Sequence, residues 1–244
     1  MFNLYKANVK RSFLHIFYLL GLVIALIGTF ASSKTVLFPF LQNAQPHQKM
    51  FFVSAAMVAF YTIFTPVFTN IEYSDGVIRN KVIAGYRQTQ IYFGYLFANM
   101  TSAVIMWGAY MVGGILGGAR LSGKYVVYNA VILFAVLNYV STMQLISFRL
   151  RKLIPLVITA TLLFQACFTG VMMGNLMIMY AEGSSVLPCA ILYNISALGQ
   201  YFSMCGFADE AANPGAPIQI LISLVVILLT SLVGTIKLND RDLL

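Results

Sequence analysis

Residues 51–71 read FFVSAAMVAFYTIFTPVFTNI, with no Asp, Glu, Lys or Arg among them. A helix needs about 20 apolar residues to cross about 30 Å of hydrocarbon, where every backbone polar group must be bonded within the segment. This run is long enough to cross. Five further charge-free runs occur at 12–33, 91–119, 125–148, 153–181 and 211–236. The third and fifth runs in chain order, 91–119 and 153–181, would be roughly 43 Å long as helices, so they are expected to tilt or project beyond the hydrocarbon.

The composition agrees with this reading. The chain has 244 residues, 60% hydrophobic and 9% charged. Soluble domains are about 45–50% apolar and about 25% charged. A soluble enzyme and a disordered chain are excluded, and three cysteines are too few for a secreted disulfide scaffold. Cys167, Cys189 and Cys205 read as free thiols, with a Cys189–Cys205 bridge left open.

Residues 183–208 are also free of charge, but Pro188, Asn194, Gly199, Gln200, Ser203 and Gly206 make them a poor lipid-facing helix. They read as a re-entrant pair of short helices. Charge placement supports six spans. With the N-terminus inside, eleven of the 15 basic residues fall on the inner side, among them Lys6, Lys10, Arg11, Arg79, Lys81, Arg87, Arg149, Arg151, Lys152, Lys237 and Arg241. Lys34, Lys49, Arg120 and Lys124 fall outside. This bias toward the cytoplasm accounts for most of the net charge of +8 and needs no nucleic acid partner. Both termini are expected to be cytoplasmic.

The spans contain no ionisable group apart from His15, so neither a membrane catalyst nor a proton relay is legible. No catalytic residue and no metal ligand set is assigned. Gly118-Ala-Arg-Leu-Ser-Gly123-Lys124-Tyr125 matches the phosphate-loop pattern except at its last position. No strand precedes it, so it reads as a turn between spans and not as a nucleotide site. Gly113, Gly114, Gly117 and Gly118, with Gly170 and Gly174, form small-xxx-small pairs suited to close helix contact, within one subunit or between two.

Two inner segments carry more information. In 1–17, Phe2, Tyr5, Val9, Phe13 and Ile16 recur at spacings of three and four beside Lys6, Lys10 and Arg11, which predicts a helix lying in the membrane interface. The loop after 51–71 reads Glu72-Tyr-Ser-Asp75-Gly-Val-Ile-Arg79-Asn-Lys81-Val-Ile-Ala-Gly85-Tyr-Arg87. Ser74 or Asp75 is expected to cap a helix of about ten residues, which Gly85 closes in the left-handed conformation. Val77, Ile78 and Val82 would then form an apolar patch suited to docking in a partner's groove.

That loop resembles the inner loop of six-span permease subunits of type-two ATP-binding-cassette exporters, in particular the small Gram-positive permeases that handle peptide antibiotics and related amphipathic peptides. The end of the chain, Gly234-Thr-Ile-Lys-Leu-Asn-Asp-Arg-Asp-Leu, is similar to the way those chains finish. The resemblance implies an all-α membrane protein with one permease domain over 1–244. It has an interfacial helix at 1–11, the six spans above, a coupling loop at 72–88 and an extracellular re-entrant segment at 182–210. It implies a bacterial plasma-membrane protein that binds no cofactor itself, with ATP and Mg held by separate cytoplasmic ATPase chains. A second permease would complete the unit, as a homodimer or a heterodimer, and membrane lipid would surround it. Asp75, Gly76, Val77, Ile78, Arg79, Asn80, Lys81 and Gly85 would couple it to the ATPase. An amphipathic peptide or other hydrophobic cargo would pass Asn70, Asn99, Thr101, Asn138, Thr142, Gln144, Gln165 and Asn175, each of which could instead be a polar group bonded within the bundle. The competing reading is an ATPase-independent carrier or channel.

Overall fold

The computed structural model describes residues 2–150, 152–236 and 238, and all the regular structure among them is helical. Arg151, Lys237, Arg241 and most of the C-terminal motif lie outside the described residues. Helix α1 runs over Phe2–Leu14 and α2 over Ile16–Ser33. Then come α3 (Pro46–Ser74), α4 (Val77–Ile83), α5 (Gln88–Leu116), α6 (Gly123–Arg149) and α7 (Leu153–Met179). The chain finishes with α8 (Val186–Tyr193), α9 (Ala197–Met204) and α10 (Ala216–Thr235). Six helices, α2, α3, α5, α6, α7 and α10, are long and apolar enough to cross a membrane, as in a multi-pass membrane protein.

The charge-free runs locate these helices but not their ends. Helix formation follows backbone chemistry, so a helix continues through charged residues until a turn stops it. The helix expected over 51–71 extends back to Pro46, past Lys49, and on to Ser74, past Glu72. The first span begins at Ile16 and not at residue 12, because His15 is extended (φ −75°, ψ 124°) and separates it from α1. α1 turns Leu4, Asn8 and Ser12 into the bundle, a line of residues four apart. The apolar positions expected to face the membrane lie beside this line, and Phe2 is 65% exposed.

α3 and α6 form the centre, while α7 and α10 leave most of their apolar surface uncovered, as lipid-facing helices do. Helices in lipid associate through close packing and hydrogen bonds, and both are present. α6 and α10 share a Ser141–Thr230 hydroxyl bond of 2.6 Å. The Arg149 guanidinium donates to the carbonyls of Val233 and Ile236, closing the C-terminal end of α10 with a cation. α2 lies against α5 where Gly113 and Gly117 face the Leu26 and Phe30 carbonyls. Gly113, Gly114 and Gly117 therefore serve packing within this chain, whereas Gly170 faces open space. All three cysteines are free thiols.

The α2–α5 contact has a direct test. A Cβ on Gly113 would run into the Leu26 backbone and the Thr29 hydroxyl, whereas one on Gly108 meets nothing within 4 Å. Gly113→Ala is expected to destabilise the chain by about 1–3 kcal/mol. Gly108→Ala is expected to be neutral or stabilising by up to about 1 kcal/mol. Thermal unfolding of both variants in one detergent measures the difference.

Candidate functional site

The site is built where α3 outruns its apolar stretch. α3 stops at Asp75, whose N–H donates to the Ile71 carbonyl at 2.9 Å. Gly76 then takes φ +68°, a left-handed turn that glycine adopts without strain, and the chain folds back into α4. α4 ends at Ala84. Gly85, at φ +87°, donates to the Val82 carbonyl (2.9 Å), and the Tyr86 N–H donates to Lys81 (3.2 Å). These two bonds make a Schellman closure. The expected role of Gly85 holds, but the residue before α4 is Gly76, with no side-chain cap, and the helix has seven residues where about ten were expected.

Under α4 lies a buried carboxylate. Glu72 is 4% exposed. Its Oε1 is 2.6 Å from Arg11 Nη1 of α1, and its Oε2 is 3.3 Å from Lys81 Nζ of α4. The Tyr95 hydroxyl of α5 donates to Oε2 at 2.5 Å. Lys81 Nζ also donates to Asn8 Oδ1 (2.8 Å) and to the Tyr95 hydroxyl (2.7 Å), and it lies 4.3 Å from the centre of the Tyr95 ring. All three ammonium hydrogens thus have acceptors. Burial pushes the Lys81 ammonium below the ordinary lysine range, and the Glu72 charge opposes that shift. Four helices meet at this cluster, and α4 is bonded to each of the other three through one side chain.

The cluster orients α4 and so corrects the docking patch read from sequence. Ile78 is 1% exposed and belongs to the apolar core with Phe68, Tyr95 and Phe148. Val77 and Val82 are half-buried, and Lys81 points inward. The surface that α4 leaves free carries Arg79, Asn80 and Ile83, with Ile83 70% exposed; Asp75, Gly85 and Arg87 are exposed beside it. Glu72, Tyr95, Asn8 and Arg11 escaped the sequence reading as a set. Glu72 and Lys81 are nine residues apart, which is no helical spacing, because a turn lies between them. The available signal was the polar line Asn8 and Ser12 on an otherwise amphipathic helix.

Most of the eight residues named for a cargo path are bonded within the bundle, two pairs of them to each other. Asn99 donates to Gln144 Oε1 at 2.6 Å, a buried bond between α5 and α6. Asn138 donates to the Ile195 carbonyl (3.0 Å) and accepts, through its own carbonyl, from Thr142. Thr101 shares a hydroxyl bond with Tyr5 (3.0 Å). Asn70 is buried in α3, and its carbonyl accepts from Ser74. Asn175 Oδ1 accepts from the Asp209 N–H at 2.8 Å. Gln165 differs: it is exposed and lines a groove of about 620 Å3 between α3, α7 and α9, walled by Phe51, Phe52, Phe168, Phe202 and Phe207.

The segment between α7 and α10 is tied down by its own buried polar knot. Asn194 Oδ1 accepts from Ser203 (3.0 Å) and from Gln219 Nε2 (2.8 Å), and Gln200 Oε1 accepts from Ser223 (3.1 Å). The polar residues that make this stretch unfit for lipid contact are thus bonded to one another and to α10.

No family model, curated protein or solved structure matches this chain, so the cluster is tested on its own geometry. Removing one member of a buried ion pair costs up to about 3–5 kcal/mol where it leaves an uncompensated charge. Arg11 still pairs Glu72 when Lys81 is lost, so Lys81→Ala is expected to destabilise the chain by about 2–3 kcal/mol, and Tyr95→Phe by about 1–2 kcal/mol. Thermal unfolding in detergent, against Arg79→Ala as an exposed control expected within about 0.5 kcal/mol of the parent, reads the order.

Proposed function

We propose that this chain is the membrane-spanning subunit of an ATP-driven exporter, that a separate cytoplasmic ATPase docks on the free surface of α4, and that the cargo is amphipathic or hydrophobic. The observation that carries this reading is the bracing of α4. A loose connector does not transmit force, because a push on it is absorbed locally. α4 is held to α1, α3 and α5 by Lys81 and seated by Ile78, while Arg79, Asn80 and Ile83 face outward. A partner moving those residues moves three helices of the bundle with them.

In this reading ATP binding closes a pair of ATPases, presses on α4 in two permeases and switches the membrane halves between inward and outward states. The partner contact combines charge from Arg79 with apolar area from Ile83. The cargo is met by the aromatic groove at Gln165, whose six phenylalanines, Phe164 included, suit apolar side chains while one amide meets a polar group. α8 and α9 form the re-entrant segment that closes the far end. The eight residues assigned to coupling divide by role: Arg79 and Asn80 touch the ATPase; Asp75, Gly76 and Gly85 shape the helix ends; Val77, Ile78 and Lys81 brace it.

Cells making the chain with its ATPase provide the test. Arg79→Glu with Ile83→Glu is expected to abolish co-purification of the ATPase and to lower extrusion of a fluorescent amphipathic peptide by about tenfold or more, a loss of about 1.4 kcal/mol or more of coupling. The unfolding midpoint of the variant chain is expected to stay near that of the parent. Transport by the purified chain in vesicles with no ATPase, or full extrusion by the doubly substituted chain, would overturn the proposal.

A further inference from the structure

The turn at 118–124 lines a cavity at the end of the bundle opposite α4. The cavity holds about 650 Å3, and its walls include Gln45, His47, Arg120, Ser122, Lys124 and Tyr128. Small-molecule sites fall in the range of about 300–1,000 Å3. The lining has two permanent cations and no carboxylate. Among the described residues, neither Arg120 nor Lys124 has a carboxylate within 4.0 Å. The acids of this end lie elsewhere: Asp209 is bonded to Asn175 on α7, Glu210 follows Asp209 directly, and Glu182 comes just after α7 in sequence.

The walls are fixed by local structure. Ser122 caps α6 by accepting the Tyr125 N–H at 3.2 Å. The Tyr125 side chain is buried and reaches Met50 Sδ at 3.5 Å, joining α6 to α3. The His47 and Tyr128 rings are 4.3 Å apart. The Gln45 N–H donates to Gln48 Oε1 (3.0 Å), which sets the start of α3. Gly118, at φ +103°, turns the chain out of α5 so that Arg120 and Lys124 reach the same opening.

We propose that this cavity binds an oxyanion of the phosphate class, borne by a lipid headgroup or free in solution. The Arg120 fork suits bidentate contact with such an anion, Lys124 adds a point charge, and Ser122, His47 and Tyr128 bring neutral groups able to donate. Its place at the ends of membrane-spanning helices is where headgroup phosphates lie. The site is independent of the transport reading and is not a nucleotide loop, since helix α5 precedes it where such a loop follows a strand.

The full chain in nanodiscs of phosphatidylcholine is titrated with inorganic phosphate by calorimetry. In parallel, the chain taken from discs containing phosphatidylglycerol is examined by native mass spectrometry for retained lipid. Arg120→Ala with Lys124→Ala is the test variant, and Arg120→Lys with Lys124→Arg keeps the charge. Both residues are exposed, so the melting midpoint is expected to hold. Phosphate binding by the parent that weakens about tenfold or more in the alanine variant, but less in the charge-keeping one, supports a free oxyanion site. Selective retention of phosphatidylglycerol that the alanine variant loses, without phosphate binding, supports a headgroup site. Absence of both, or equal binding by the parent and the alanine variant, overturns the proposal.

Discussion

A carboxylate inside a helical bundle must be paired and hydrogen-bonded where it lies, and Glu72 is met from three sides. Arg11 comes from α1, Lys81 from α4 and the Tyr95 hydroxyl from α5. An unpaired charge there costs several kcal/mol, and the partners that meet it come from three different helices. The cluster therefore holds only when all four helices are in place. This makes it a constraint on geometry more than a source of net stability, since buried ion pairs give little over an apolar replacement. Its effect is to fix where a seven-residue helix sits, which propensity alone does not do for so short an element.

The two ends of the bundle differ in how they use charge. At the α4 end a single acid gathers cations inward, so the surface left outside is set by what the interior has claimed. Lys81 is spent on Glu72 and Tyr95, and Arg79, one turn-face away, remains free. At the opposite end the cations lining the cavity have no acid beside them and face an opening. The middle of the bundle is held without charge, by Asn99–Gln144, by Ser141–Thr230 and by the knot around Asn194.

Much of this arrangement was legible in the sequence. Runs free of charge located all six long helices, because the exclusion of charge from hydrocarbon is a strong and local rule. The helix-closing role of Gly85 and the unfitness of the polar stretch after α7 for one long apolar helix were also readable, each through the chemistry of single residues. The boundaries were not, because Glu72 and Lys49 continue a helix that no turn residue interrupts. The inward turn of Ile78 and Lys81 was hidden for another reason. It follows from the reversal at Gly76, which sends α4 back toward α1 and α5, and a tertiary reversal has no period in the sequence. The amides expected along a cargo path illustrate the same limit: a polar residue in an apolar helix looks identical whether it meets a ligand or, like Asn138, a neighbouring carbonyl.

The dependence of α4 on the carboxylate beneath it can be read directly by hydrogen exchange along residues 77–86 in the parent chain and in Glu72→Gln. If Glu72 braces α4, the parent amides from Asn80 to Tyr86 exchange slowly and those of the variant exchange about tenfold faster or more, while the Asn99 region of α5 is unchanged. Fast exchange of α4 in the parent, or the same protection in both chains, would contradict the account.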